Sequence, residues 1–189
     1  MIANPTKVLC FHGCGQTKHK LAGILKEYTR IGEQYNLEFY WLEAKYHQPG
    51  GELTWYNKIL VLDDIGSIAY SPELVSDVLE DIDLYINTHQ IDVLWGFSQG
   101  GNVVDTFLRH KGNKRIRTAV IFSGYALVED QPIVSDLSIL NVISKEDEVV
   151  PHLLAPNAYK STKTIYHNKG HRIPNARDVI REICLFSRQ

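Results

Sequence analysis

Short apolar runs alternate with amphipathic stretches along most of the chain. Residues 7–12 read KVLCFH and stop at Gly13 and Gly15, which predicts a buried strand ending in a tight loop. From about His19 to Tyr35, the residues Leu21, Ile24, Leu25, Tyr28 and Ile31 recur at offsets of three and four, the spacing of an amphipathic helix. A second strand is expected over residues 38–42. Pro49, Gly50, Gly51 and the polar residues to Asn57 interrupt the alternation and read as an excursion. Ser71-Pro72-Glu73 is a helix start signal, and Leu74, Val78, Leu79, Ile82, Tyr85 and Ile86 continue it with helical spacing. Residues 91–95 form the third predicted strand, which Gly96-Phe97-Ser98-Gln99-Gly100-Gly101 carries into a helix ending near His110. Further strands are predicted at 117–122, 139–143 and 164–166, and a last helix at 176–186.

Strands that alternate with helices are joined by crossovers, so the sheet should be parallel with both faces covered. The expected fold class is therefore α/β. A chain of 189 residues suits one domain, expected over residues 1–189, since a domain takes ~100 to 200 residues. Apolar residues make up 44% and charged residues 22%, which argues against disorder and a coiled coil. The formal charge of −2 supplies no basic field for a phosphate backbone, so no nucleic-acid partner is expected. Cys10, Cys14 and Cys184 cannot all pair within one chain, which favours reduced thiols and a cytoplasmic location. No charged and apolar leader pattern opens the chain, and no run approaches the ~20 apolar residues of a membrane span, so no integral membrane association is expected.

Gly96-Phe97-Ser98-Gln99-Gly100 matches G-x-S-x-G, and it stands where a strand passes into a helix. That setting forces a serine onto a sharp turn with its hydroxyl projecting from the sheet. A hydroxyl is a weak nucleophile at neutral pH and needs a base that a carboxylate orients. Such groups follow the serine in the order acid, then histidine, beyond the carboxyl ends of parallel strands. Asp147 satisfies this, four residues past Ile143; Asp130 and Asp136, in a loop after the fourth strand, are rivals. Asp105 and Asp178 fall inside helices. His167 and His171 both follow the sixth strand, and Asn168-Lys169-Gly170 gives His171 the freer loop; His110 and His152 are placed less well. Backbone N–H groups of Gln99 and Cys14 are the expected oxyanion donors, one after the nucleophile and one after the first strand.

Two other readings compete. Gly13 to Lys18 reads GCGQTK but matches neither phosphate-binding glycine motif. Cys10, His12 and Cys14 recur every second residue, yet a fourth metal ligand is not apparent, so no metal is expected.

Together, VLCFHGCGQT, PGGELTWYNK, DVLWGFSQGG, AVIFSGY, SKEDEVVP and HNKGHRIP make the chain resemble the family of serine hydrolases, or FSH-type α/β-hydrolases, relatives of carboxylesterases and acyl-protein thioesterases. The resemblance runs nearly the whole length. It implies a compact sheet of about six strands in the order 2-1-3-4-5-6 with little or no lid. It implies ester or thioester hydrolysis through Ser98, Asp147 and His171, with Cys14 and Gln99 as the oxyanion hole. Where such proteins often carry paired tryptophans beside the site, this chain has Trp55 and Tyr56, which become candidate substrate-binding residues. The expected partner is a small acyl ester or thioester, with no cofactor. The rival class is an inactive hydrolase-fold protein that binds a small apolar ligand in the same cleft.

Overall fold

The computed structural model describes residues 4–56, 61–62, 68–69, 76–126, 137–157, 159 and 161–189. Six strands build the main sheet: β1 (Thr6–Phe11), β2 (Leu37–Leu42), β7 (Val93–Phe97), β8 (Thr118–Phe122), β9 (Ser138–Ser144) and β10 (Ser161–His167). All five pairings are parallel, in the order β10-β9-β8-β7-β1-β2. Renumbered by the main strands alone, this is the expected 2-1-3-4-5-6. Among the described residues between β2 and β7 lie four two-residue strands, β3 (Tyr46–His47), β4 (Leu53–Thr54), β5 (Val61–Leu62) and β6 (Ile68–Ala69), paired antiparallel as β3 with β4 and β5 with β6.

The pleat divides the core in two. Leu9 and Phe11 of β1, Leu94 of β7, and Ala119 and Ile121 of β8 face one cluster, while Val8, Cys10, Val93, Trp95, Val120 and Phe122 face the other. Helices α3 (Ser76–His89) and α4 (Gln99–His110) cover the first face through Val78, Ile82, Ile86, Val104 and Phe107. Helices α1 (Lys18–Ile24), α2 (Lys26–Gly32) and α5 (Arg177–Phe186) cover the second through Leu21, Tyr28, Ile31, Ile180 and Ile183. Burying each such side chain stabilises by ~1.5–3 kcal/mol, so both faces together hold the sheet.

Two elements depart clearly from expectation. The single helix expected over residues 19–35 is two helices broken at Leu25, followed by a short 3-10 turn over Glu33–Tyr35. Leu21, Leu25, Tyr28 and Ile31 still meet one cluster, so the apolar period runs unbroken through the kink. The sixth main strand spans seven residues, more than its short apolar core suggested, because it is an edge strand that exposes the polar Thr162, Lys163 and Thr164 along with Tyr166. The start signal at Ser71-Pro72-Glu73 lies outside the described residues. No helix among the described residues is long and apolar enough to cross a membrane.

Candidate active site

Ser98 follows β7, with Phe97 paired to Phe122 in the last register position before the chain turns into α4. Its φ of 53° and ψ of −119° lie in a region that non-glycine residues rarely occupy, at a cost of order 1–3 kcal/mol. The Ser98 N–H donates to the Phe122 carbonyl at 2.9 Å, which fixes the turn from the neighbouring strand. A serine before a helix commonly caps it with its hydroxyl, but Ser98 makes no such bond, so the oxygen is left for other work. The flanking glycines are required by close approach: a Cβ at Gly96 would lie 2.5 Å from the Gly100 carbonyl oxygen, and one at Gly100 would lie 2.4 Å from that of Phe11.

His171 comes from the loop after β10. Its Nε2 is 3.0 Å from Ser98 Oγ, and its Nδ1 is 2.9 and 3.0 Å from the two oxygens of Asp147. A carboxylate on Nδ1 selects the tautomer that carries its proton there, leaving Nε2 free to accept from the serine hydroxyl. The Phe97 ring stacks obliquely on the imidazole at 5.2 Å, and Tyr28 Oη donates to the Pro174 carbonyl at 2.8 Å, tying the loop's exit to α2.

Asp147 comes from the turn after β9, where its N–H reaches the Ser144 carbonyl at 3.3 Å. Its Oδ1 also accepts the N–H groups of Val149 and Val150 at 2.9 and 2.8 Å. Burial pushes this carboxyl's pKa up, but the Val150 N–H, the His171 imidazole and the Val149 N–H outweigh it and hold it below the ordinary carboxylate range. The group facing His171 is thus an anion at neutral pH.

The loop after β1 closes on the same point. A Cβ at Gly13 would sit 3.3 Å from Ser98 Cβ, so the loop passes directly against the serine one residue before Cys14. The amides around Cys14 are bonded: Gly13 N–H to Gln16 Oε1 at 3.2 Å, Gly15 N–H to the Leu53 carbonyl at 2.9 Å, and Gln16 N–H to the Gly13 carbonyl at 3.2 Å. Gln99 is the first residue of α4, and the N–H groups of a first turn have no partner within the helix.

The other candidates lie elsewhere. Asp105 is buried within α4 against Arg109, Asp178 is exposed on α5, and His110 is exposed at the end of α4. His152 is half-buried at the start of a 3-10 turn, and His167 is half-buried, its Nδ1 accepting from the Lys169 N–H at 3.2 Å. Asp130 and Asp136 lie outside the described residues. Cys10 is buried in the second cluster. His12 has both ring nitrogens engaged: Nε2 accepts from the Ala44 N–H at 3.1 Å, so Nδ1 carries the proton and donates to the Gly13 carbonyl at 2.8 Å. Burial pushes its pKa down, which keeps it neutral.

Trp55 and Tyr56 are only 2% and 3% exposed. The Trp55 indole N–H donates to the His12 carbonyl at 2.7 Å, and Tyr56 Oη donates to Asn102 Oδ1 at 2.6 Å. Their polar atoms are thus engaged with parts of the site, and little of their surface is exposed. Sequence reasoning overlooked Thr54 and the Gln99 side chain, both buried polar groups in this support. A polar residue inside the otherwise apolar run of LTWY was the available signal.

Six parallel strands in this order, with a serine on a strained turn after the central strand and an acid and a histidine beyond two later strands, define the α/β-hydrolase fold. Residues 1–183 match the serine hydrolase (FSH1) family, and the chain belongs to it. Hydrolase phiM of a fungal species (strain ATCC 74256) is 28% identical over 199 residues, covering 94% of this chain and 91% of that protein. Among solved structures, the Bacillus cereus carboxylesterase superposes with a TM-score of 0.74 at 14% identity, over 98% of this chain and 88% of its own. Zea mays acyl-protein thioesterase 2 gives 0.68 at 18% identity, over 97% and 93%. At these identities the likeness speaks for the fold.

Proposed function

We propose that this single-domain protein hydrolyses carboxylic esters or thioesters through an acyl-enzyme on Ser98. The observation that carries the reading is the unbroken contact from Ser98 Oγ through His171 to Asp147, with steps of 3.0 and 2.9 Å. His171 Nε2 takes the hydroxyl proton as Oγ attacks the acyl carbonyl, and Asp147 stabilises the imidazolium that forms. The N–H groups of Cys14 and Gln99 meet the oxygen that becomes negative. The imidazolium then protonates the leaving oxygen or sulfur. A water, deprotonated by the same nitrogen, releases the acid and restores the serine. The named structural neighbours, a carboxylesterase and an acyl-protein thioesterase, share an acyl carbonyl as the bond's electrophile, which supports this substrate class.

The test is turnover of p-nitrophenyl esters and acyl thioesters of graded chain length, with fluorophosphonate labelling, by wild type and Ser98→Ala. Wild type should turn over and label, and Ser98→Ala should do neither while melting within a few degrees of wild type. Undiminished hydrolysis by Ser98→Ala would sink the assignment, and a wild type that neither labels nor hydrolyses would favour the binding protein.

A further inference from the structure

The two N–H groups proposed to meet the oxyanion belong to different elements, and the sheet does not set their separation. Pairing of β1 with β7 ends at Phe11 and Gly96, before either donor is reached. What spans the gap is the segment 53–56, which begins with β4. It holds the β1 loop on both sides of Cys14: the Leu53 carbonyl accepts the Gly15 N–H at 2.9 Å, and the Trp55 indole donates to the His12 carbonyl at 2.7 Å. Trp55 also packs against the Phe11 and His12 rings at 5.3 and 5.1 Å.

The other end of this strut is held to α4 by Asn102, which accepts from Tyr56 Oη at 2.6 Å, and by the Gln99 side chain. Gln99 Oε1 accepts the Trp55 backbone N–H at 3.1 Å, and Gln99 Nε2 donates to Thr54 Oγ1 at 2.9 Å. The Thr54 hydroxyl in turn donates to the Tyr56 carbonyl at 2.8 Å. Gln99 is 1% exposed and Thr54 wholly buried, so each of these bonds is made without competing water. Outside the strut, Lys45 is tied to Asp77 and Asp81 of α3 at 2.9 and 2.6 Å, which steadies the start of the same hairpin.

We infer that the Gln99 side chain is a positioning residue: through Thr54 and Trp55 it sets the distance between its own amide and that of Cys14. This rests on the serine mechanism proposed above. A donor displaced by a few tenths of an ångström still lets the ground-state ester bind but meets the oxyanion poorly, so the effect belongs to kcat rather than KM.

The experiment compares wild type, Gln99→Met, Thr54→Val and Thr54→Ser, measuring kcat and KM on a p-nitrophenyl ester and Ki for an acyl trifluoromethyl ketone. That probe adds to the serine and presents an oxyanion. Gln99→Met and Thr54→Val should lower kcat by on the order of 10-fold or more, a share of the ~10² to 10³ that one oxyanion donor is worth, with KM within about threefold. Ki should rise by the factor that kcat/KM falls, and Thr54→Ser, which keeps the hydroxyl, should stay within about twofold of wild type. The Thr54 pair decides the matter even where Gln99→Met does not fold. Near-wild-type kcat in Thr54→Val, or a loss confined to KM with Ki unchanged, overturns the inference. Full turnover by Ser98→Ala in the same assay would instead strike the serine mechanism on which it rests.

Discussion

His171 Nδ1 lies between the two carboxylate oxygens of Asp147, 2.9 Å from one and 3.0 Å from the other, although 24 residues separate the two in sequence. The carboxylate is itself fixed by two backbone N–H groups from Val149 and Val150, so it faces the imidazole from one rigid position.

Replacing Asp147 by Asn removes the charge and disturbs the tautomer, and kcat on an activated ester should fall by about 10³ to 10⁴. Stability should respond to pH as well. Because the folded carboxyl's pKa lies below its ordinary value, its contribution is present above the unfolded value of ~3.9 and is lost as pH falls through the folded one. Urea midpoints of wild type and Asp147→Asn should therefore differ most near pH 6 and converge toward pH 3. A gap that widens on acidification would contradict this sign.

Gly100 and Gly23 make a matched pair for stability. A Cβ at Gly100 would meet the Phe11 and His12 carbonyl oxygens at 2.4 and 2.6 Å, whereas one at Gly23 would have nothing within 4 Å. Gly100→Ala should lower stability by roughly 3 kcal/mol or prevent folding, through backbone displacement at the serine turn. Gly23→Ala, in α1, should raise it by up to ~1 kcal/mol. Urea denaturation checks both, and a benign Gly100→Ala would mean the loop after β1 gives way more easily than its bonds imply.

Asp105 accepts from Arg109 Nε at 2.9 Å and from the Tyr159 hydroxyl, with the Asp105 side chain wholly buried. Removing the acid alone strands a buried guanidinium, so Asp105→Ala should cost about 3–5 kcal/mol, and Asp105→Leu with Arg109→Met should recover much of that. Turnover per folded molecule should stay near wild type, because Asp105 lies seven residues along α4 from Ser98 and is spent on holding Tyr159. A loss of kcat without a loss of stability would place the cluster in the site instead.

Much was legible in the linear chain because its signals are local. A period of two or four reports which face of a strand or helix is buried, and the alternation of those periods is enough to call a parallel sheet with helices on both sides. The serine turn was equally readable, since glycines that permit a close approach must stand at fixed offsets from it. Periodicity was blind to the break at Leu25, where both halves of the helix turn the same face to one cluster.

Partnerships were decided only by tertiary structure. Trp55 and Tyr56 were expected as substrate-binding residues, and packing leaves them 2% and 3% exposed and clasped to His12, Gln99 and Asn102. Nothing near Thr54 in the chain announces that its hydroxyl meets a side chain 45 residues away. Residue type and spacing determine what an element is and what chemistry it carries; which groups touch depends on where separate elements end in space, and the packing of the whole core sets that.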